Sequence, residues 1–193
     1  FSKEQMAQSV SLGRVNPNPA RFDVKKCTAI NGDWIRYLAI DDLVERLVPY
    51  LQRDGVIGST PSAEDMNLVR AVVPLISERL ETLGQASAMV GFLFTDDIAI
   101  DAADAEKIMG DQADDVLRAA EAALAGLDEW TTEAIESALR AALIEERGLK
   151  PKVAFGPVRL AITGRRVSPP LFESMELLGA DRSLDRIRSL HAS

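Results

Sequence analysis

The stretch Leu149–Glu173, LKPKVAFGPVRLAITGRRVSPPLFE, decides how this chain is read. Its glycines and prolines mark out two short helices set between loops. LKPKVAF reads as extended because of its proline, Pro157 sits at a helix start before VRLAIT, and Gly156 fits the tight entry to it. Gly164 ends that helix. Ser168-Pro169 then reads as a second start: a capping hydroxyl followed by a proline whose missing N–H costs nothing in a first helical turn. The second helix is predicted over 169–179, ending at Gly179.

The same stretch concentrates positive charge. From 147 to 172 the chain carries six basic residues (Arg147, Lys150, Lys152, Arg159, Arg165, Arg166) and no acidic one. From 88 to 136 it carries 13 acidic residues against two basic ones, Lys107 and Arg118. The formal net charge of −8, taken whole, argues against nucleic acid. An RNA surface needs only local positive charge, however. Helix starts expose N–H groups that bind phosphate or base-edge acceptors. Unpaired RNA loops are held by arginine planes, apolar side chains and backbone groups. The residues equally allow a packed helical hairpin with Phe155 and Phe172 in the core and both charged windows as solvated faces. Both readings stay open at this point.

Outward from this stretch the chain is mostly helical, with little strand-like alternation and 5% aromatic residues. Helices are predicted over 42–53, 62–82, 112–125 and 132–147. The first, capped by Asp41 or Asp42, carries Leu43, Val44, Leu47, Val48 and Leu51, with a kink at Pro49. Ser62 and Asp65 form a capping box for the second. Its apolar face is Leu68, Val69, Val72 and Val73. Pro74 forces a break or kink, after which Leu75, Ile76, Leu80 and Leu83 continue, and a short helix holds Met89 and Phe92. Val116, Leu117, Ala120 and Leu124 line the third, up to Gly126. Thr131 or Thr132 caps the fourth, which carries Ile135, Leu139, Leu143 and Ile144. Gly148 suits a left-handed cap. A final helix holds Leu184, Ile187 and Leu190. At the start, a short helical stretch leads into the loop NPNPAR. FDVKKCTAINGDWIRYL follows, with Phe22, Ile30, Trp34, Ile35 and Leu38 as expected buried anchors. FTDDIAIDAAD reads as an acidic joint, with a subdomain boundary near 102.

The composition excludes much chemistry. A single cysteine, Cys27, allows no internal disulfide, and one Cys with one His, His191, cannot build a Cys/His zinc site. A Ser-His-Asp or Cys-His mechanism would have to run through His191, close to the end of the chain. There is no GxxxxGK[ST] loop and no GxGxxG turn. Asp96-Asp97 and Asp114-Asp115 are neighbours in sequence, and neighbours on a helix point apart. No catalytic residue and no metal site is expected. No apolar run is long enough for a membrane span. The opening FSKEQMAQSV lacks both a signal-peptide pattern and an initiator Met, which reads as a fragment or processed chain.

Three segments carry a family resemblance. KVAFGPVRLAITGRRVSPPLFESMELLG resembles the distal anticodon-binding region of bacterial glutamyl-tRNA synthetases. NPNPARFDVKKCTAINGDWIRYL resembles the stretch just after the signature lysine loop of these enzymes, in the segment contacting the tRNA stem. SERLETLGQASAMVGFLF resembles their middle helical unit. The order is preserved along the whole chain, and the first and last of these motifs in the chain are specific. The family's His-Ile-Gly-His-like and Lys-Met-Ser-Lys-like ATP-binding motifs are absent from these residues. The resemblance therefore implies the carboxy-terminal half of such an enzyme.

The resemblance also implies site residues. Arg79, opening RLETL, would contact the last anticodon base, and Arg159, in PVRLAITG, would lie in the anticodon pocket. The loop Ser168-Pro169-Pro170-Leu171 would approach anticodon bases through backbone and apolar contacts, with Ser168, Pro169 and Leu171 as named contacts. Lys150, Lys152, Arg165 and Arg166 would meet the tRNA backbone. Arg159, Arg165 and Arg166 are expected on one continuous surface near Ser168–Leu171. Val167 stands where some members carry an acid. Cys27 falls where leucine is usual and reads as a core substitution. For Arg79 the chemistry agrees: cytosine shows two adjacent acceptors, N3 and O2, which suit the parallel donors of a guanidinium, whereas guanine would set donor against donor. The alternative for Arg79 is a surface ion pair with Glu78 or Glu81.

The expectation is thus an all-α fold: a stem-contact or linker segment over 1–43, then helical subdomains over 44–102 and 103–193. The expected partner is tRNA(Glu), with no DNA and no membrane, for a cytoplasmic monomer without a cofactor of its own. ATP and Mg belong to the parent ligase. The rival reading is a helical protein-interaction module whose acidic stretch 88–136 is the binding face.

Overall fold

The computed structural model describes residues 2–11, 13 and 22–191, and among them every regular element is helical. The elements are α1 (Lys3–Ser9), α2 (Val24–Tyr37), α3 (Ile40–Arg53), α4 (Ala63–Ile76), α5 (Ala86–Val90), α6 (Ala102–Ile108), α7 (Ala113–Ala125), α8 (Thr132–Leu139), α9 (Pro151–Thr163), α10 (Leu171–Leu178) and α11 (Ala180–His191). The expected NPNPAR loop lies outside the described residues.

Helix α3 forms because Leu43, Val44, Leu47 and Leu51 recur at three- and four-residue spacing and are all buried. Its N-cap is Ala39, with no side-chain bond, so Asp41 and Asp42 do not cap it. They sit in its first turn, where negative charge favours the helix dipole, and Asp42 pairs with Arg46. Helix α4 begins with the expected reciprocal capping box of Ser62 and Asp65. It also runs through Pro74, because Val72, Val73 and Ile76 on either side of the proline are buried in the core. The break comes after Ile76, where a 3-10 turn, Ser77–Arg79, leads to Leu80 in extended backbone. Leu80 and Leu83 therefore lie outside the helix predicted to run to 82.

Helix α8 widens into a π-helical stretch, Arg140–Glu145, that keeps Leu143 buried. The largest correction concerns α9. LKPKVAF is not extended: Pro151 occupies the first helical position, and the helix runs unbroken through Gly156 and Pro157 to Thr163. The reason is packing, since Ala154, Val158, Ala161 and Ile162 form one buried stripe. Ser168-Pro169 does not open α10 either, which begins at Leu171 with Pro170 at the N-cap. Two successive prolines hold the residues before them extended.

Helix α3 packs on α4, and α7, α9 and α11 pack on one another. Helix α10 lies against both α8 and α4, so it belongs to the early and the late helices alike. The buried residues form one continuous cluster from Ile35 to Ile187. Arg186 lies inside it, 7% exposed. Its guanidinium donates to the carbonyl of Ile162 at 2.7 Å and to those of Phe92 and Thr95. The Ile162 carbonyl is among the last of α9 and has no partner within the helix.

Gly164 closes α9 in the left-handed region, φ 73°. Its carbonyl accepts from the Asp101 N–H at 2.9 Å, and a Cβ there would stand 2.4 Å from the Ala99 oxygen. Gly148 has φ +64° but open space around its Cβ position. Gly164→Ala is expected to lose roughly 1–2 kcal/mol from backbone strain and about 1–3 kcal/mol more from the forced contact. Gly148→Ala should lose the strain contribution alone. Urea unfolding of the two variants measures the difference.

Candidate nucleic-acid interface

Arg79 stands at the end of the 3-10 turn after α4, with its side chain exposed. Its Nη1–H donates to the Ser168 carbonyl at 2.9 Å, across 89 residues of sequence. Arg159 projects from the middle of α9 onto the same loop. Its Nη1–H donates to Ser168 Oγ at 2.7 Å and to the Pro169 carbonyl at 2.9 Å. Four of the five residues expected at the anticodon thus meet at one place, and Leu171 follows directly at the start of α10.

The loop residues face inward: Ser168, Pro169 and Leu171 are buried, and the carbonyls of Ser168 and Pro169 are taken by the arginines. They hold the two guanidiniums rather than presenting free polar atoms of their own. Burial lowers the pKa of Arg159 and the neighbouring charge of Arg79 lowers it further, with Glu173 opposing. Two cations are therefore held near each other. Among the described residues neither has an ion pair, so Arg79 does not bond Glu78 or Glu81 through its guanidinium. Such a pair of cations is suited to an incoming acceptor or anion.

A groove of about 1070 Å³ runs from this point between α6 and α9. Arg159, Lys152, Arg166 and Lys107 line it together with Glu106 and Asp111. Arg159 and Arg166 therefore share one surface, whereas Arg165, expected with them, is not among the residues lining it. Arg166 is partly neutralised, however: its Nε lies 3.6 Å from Asp104 Oδ1, and its backbone N–H donates to Asp104 Oδ2 at 2.8 Å. No spacing in the sequence signals Asp104, which lies 62 residues away. Arg165, Lys150 and Lys152 are exposed, as is Val167. Phe155 and Phe172 meet edge to face at 5.4 Å and pack against the core.

A family of anticodon-binding domains matches residues 42–190. The chain belongs to that family. The glutamate–tRNA ligase of Saccharopolyspora erythraea is 53% identical over 190 residues, which span 98% of this chain and 38% of that protein. The corresponding ligase of a Nocardioides species is 50% identical over 191 residues, covering 98% of this chain and 39% of the relative. Among solved structures, the glutamate tRNA ligase of Elizabethkingia meningosepticum in complex with its amino acid superposes over 100% of this chain and 37% of its own. Its TM-score is 0.80 at 19% identity, which shows the shared fold. The anticodon-binding chain therefore spans well under half the length of these relatives.

Because Arg159 makes two bonds from a half-buried position, Arg159→Ala is expected to cost about 1.5–3 kcal/mol. Arg79→Ala breaks one bond at the surface and should cost only about 0.5–1 kcal/mol. Chemical unfolding at constant m-value gives the order directly, and equal costs would show that Arg159 does not hold the loop.

Proposed function

We propose that this chain is the anticodon-reading part of a glutamate–tRNA ligase and that its ligand is tRNA(Glu). The observation carrying this reading is the convergence of Arg79 and Arg159 on Ser168-Pro169, inside a region matched by the anticodon-binding family. In this reading the segment over 1–43 links to the rest of the ligase, and the units over 44–102 and 103–193 hold the anticodon between them. ATP, glutamate and Mg²⁺ act in the remainder of the polypeptide, which supplies all of the chemistry. The ligase works as a cytoplasmic monomer. Among the described residues no helix is long and apolar enough to cross a membrane.

The chain's contribution is positioning. Of the Arg79 donors, only Nη1 is bonded among the described residues. The others are free to meet the N3 and O2 acceptors of a cytosine. Arg159 beside it keeps the site cationic while Ser168 and Pro169 fix the angle of both guanidiniums. An arginine fixed in this way separates anticodons ending in C from those ending in G, since glutamate anticodons end in C and glutamine anticodons in G. Lys150, Lys152, Arg165 and Arg166 neutralise phosphates along the groove. The rival protein-interaction reading loses part of its acidic face to pairs within the chain: Glu121 with Arg188, Glu136 with Arg140, Asp104 with Arg166.

Two measurements test this reading. In the first, tRNA binding is followed against salt. Arg165→Ala should flatten the slope of log affinity against log salt by about 1, as loss of one phosphate contact does. Arg166→Ala should flatten it less, because Asp104 already holds that charge. Unchanged slopes would make both idle surface residues. In the second, Arg79→Gln in the full-length polypeptide is assayed by aminoacylation of tRNAs whose anticodons end in C or in G. A glutamine amide both donates and accepts, so it no longer rejects guanine. The ratio of kcat/KM values should narrow roughly ten- to hundredfold, by analogy with the 1–3 kcal/mol of a bidentate base contact. An unmoved ratio would remove Arg79 from the reading mechanism.

A further inference from the structure

An arginine points where its own backbone and its acceptor put it, and for Arg79 both are held by distant elements. The turn that carries it is held by α2: Asn31 Nδ2–H donates to the Glu81 carbonyl at 2.6 Å, Arg36 reaches the Glu78 carbonyl, and Gly32 lies against the backbone of Leu80 and Glu81. This docking buries Ile35 and packs Leu38, but it leaves the other anchors expected on this segment, Phe22, Ile30 and Trp34, exposed. Cys27 is exposed as well, which corrects its reading as a core substitution. The acceptor is the Ser168 carbonyl, 2.9 Å from Arg79 Nη1. Ser168 sits in the loop between Gly164 and α10, so the direction of Arg79 depends on what keeps that loop still.

Downstream, Pro169 and Pro170 stiffen the chain, and Arg159 bonds Ser168 Oγ and the Pro169 carbonyl. Upstream, the peptide unit between Arg165 and Arg166 is gripped at both ends. Its carbonyl accepts from the Thr163 hydroxyl at 3.0 Å, and its N–H donates to Asp104 Oδ2 at 2.8 Å. The two grips differ in strength. Thr163 has one hydroxyl hydrogen and a second carbonyl, that of Arg159, at 2.9 Å, so each carbonyl has it only part of the time. Asp104 offers a carboxylate, and a charge-assisted bond is roughly twice as strong as a neutral one. Among the described residues, Asp104 is also the one side chain from outside α9 that bonds the loop backbone upstream of Ser168. Its own place is secure. It lies in the first turn of α6, where its N–H donates to the N-cap carboxylate of Asp101 at 3.0 Å, and the Asp101 N–H in turn bonds the Gly164 carbonyl.

We propose that Asp104 is a positioning residue for anticodon discrimination: through the Arg166 N–H it fixes the loop that aims the Ser168 carbonyl at Arg79. The inference rests on the reading of Arg79 as the residue that tells C from G. Only Val167 separates Arg166 from Ser168, so a loop released at Arg166 lets that carbonyl shift. A misplacement of roughly 1 Å can cost on the order of a hundredfold where a group must meet its partner at fixed geometry. The same carboxylate has a second effect. Its Oδ1 lies 3.6 Å from Arg166 Nε, so it withholds a cation from the RNA. Asp104 thus weakens the binding of every tRNA while sharpening the choice among them.

Two variants of the full-length polypeptide separate these effects. Asp104→Asn keeps an oxygen for the Arg166 N–H and removes the charge, whereas Asp104→Ala removes both. Asp101 still caps α6 in each. Both variants should bind tRNA more tightly at low salt and steepen log affinity against log salt by up to about 1, the contribution of one freed phosphate contact. Selectivity should fall in Asp104→Ala alone: its ratio of kcat/KM between anticodons ending in C and in G should narrow about three- to tenfold, with the wild-type ratio kept in Asp104→Asn. Hydrogen exchange without tRNA should show the loop amides over 165–168 opening at least about tenfold faster in Asp104→Ala and unchanged in Asp104→Asn. An unmoved ratio or unmoved loop exchange in Asp104→Ala would overturn the proposal. So would an equal loss of selectivity in Asp104→Asn, which assigns the effect to charge, or an affinity lowered for both tRNA types, as a damaged fold gives. Arg79→Gln is assayed beside them. If it narrows the ratio and Asp104→Ala does not, the positioning role fails alone; if Arg79→Gln leaves the ratio unmoved, the anticodon reading fails and this role with it.

Discussion

The guanidinium of Arg186 is the point on which the late helices and the segment before α6 are both fixed. It is buried in α11 and bonded to carbonyls of Ile162 at the end of α9 and of Phe92 and Thr95. These carbonyls lie where helices end, and buried backbone acceptors without donors are costly. One side chain satisfies all three. Its burial lowers its pKa to about 10, with Arg182 nearby adding to the effect and Asp96 opposing it. It stays charged at neutral pH, so the three bonds persist. Trp130 contributes a similar tie, its indole N–H donating to the Met175 carbonyl at 2.8 Å.

The site is built on the frame so fixed. Gly164 turns the chain back at the end of α9, so closely against Ala99 that no side chain fits. The loop that follows carries Ser168 and Pro169 to Arg159, one helix surface away, and to Arg79, which arrives from α4 by a separate route. Each arginine is thereby given a direction by a backbone carbonyl. The cost of holding two guanidiniums near each other is visible in the lowered affinity of Arg159 for its proton, first from burial and then from Arg79. That unrelieved positive charge, in a chain of net charge −8, is what a nucleic-acid acceptor would relieve.

The acidic and basic windows of the sequence are not two separate faces. Asp104 of the acidic window reaches Arg166 of the basic one, and Glu121 bonds Arg188 and His191 of α11, so part of the acidic window is neutralised within the fold. The groove between α6 and α9 is therefore of mixed charge, lined by Lys107, Lys152, Arg159 and Arg166 together with Glu106 and Asp111.

The sequence by itself determined the helical class, the core stripes of α3, α7 and α8, the Ser62–Asp65 capping box and the glycine stops at Gly148 and Gly164. These depend on spacing within a few residues, which the chain carries locally. It also pointed to Arg79, Arg159 and the Ser168 loop through family motifs. What only tertiary structure decided was everything set by contact across long separations. Pro157 fits a helix start in isolation, but the burial of Ala154 and Val158 on one side draws the helix back to Pro151. Apolar spacing in α2 looks like core from either side, and only its docking on Glu78–Glu81 decides that Trp34 faces out. The meeting of Arg79 with Ser168, and the capture of Arg166 by Asp104, leave no periodic trace, because residues that touch only after the chain has folded need no fixed spacing along it.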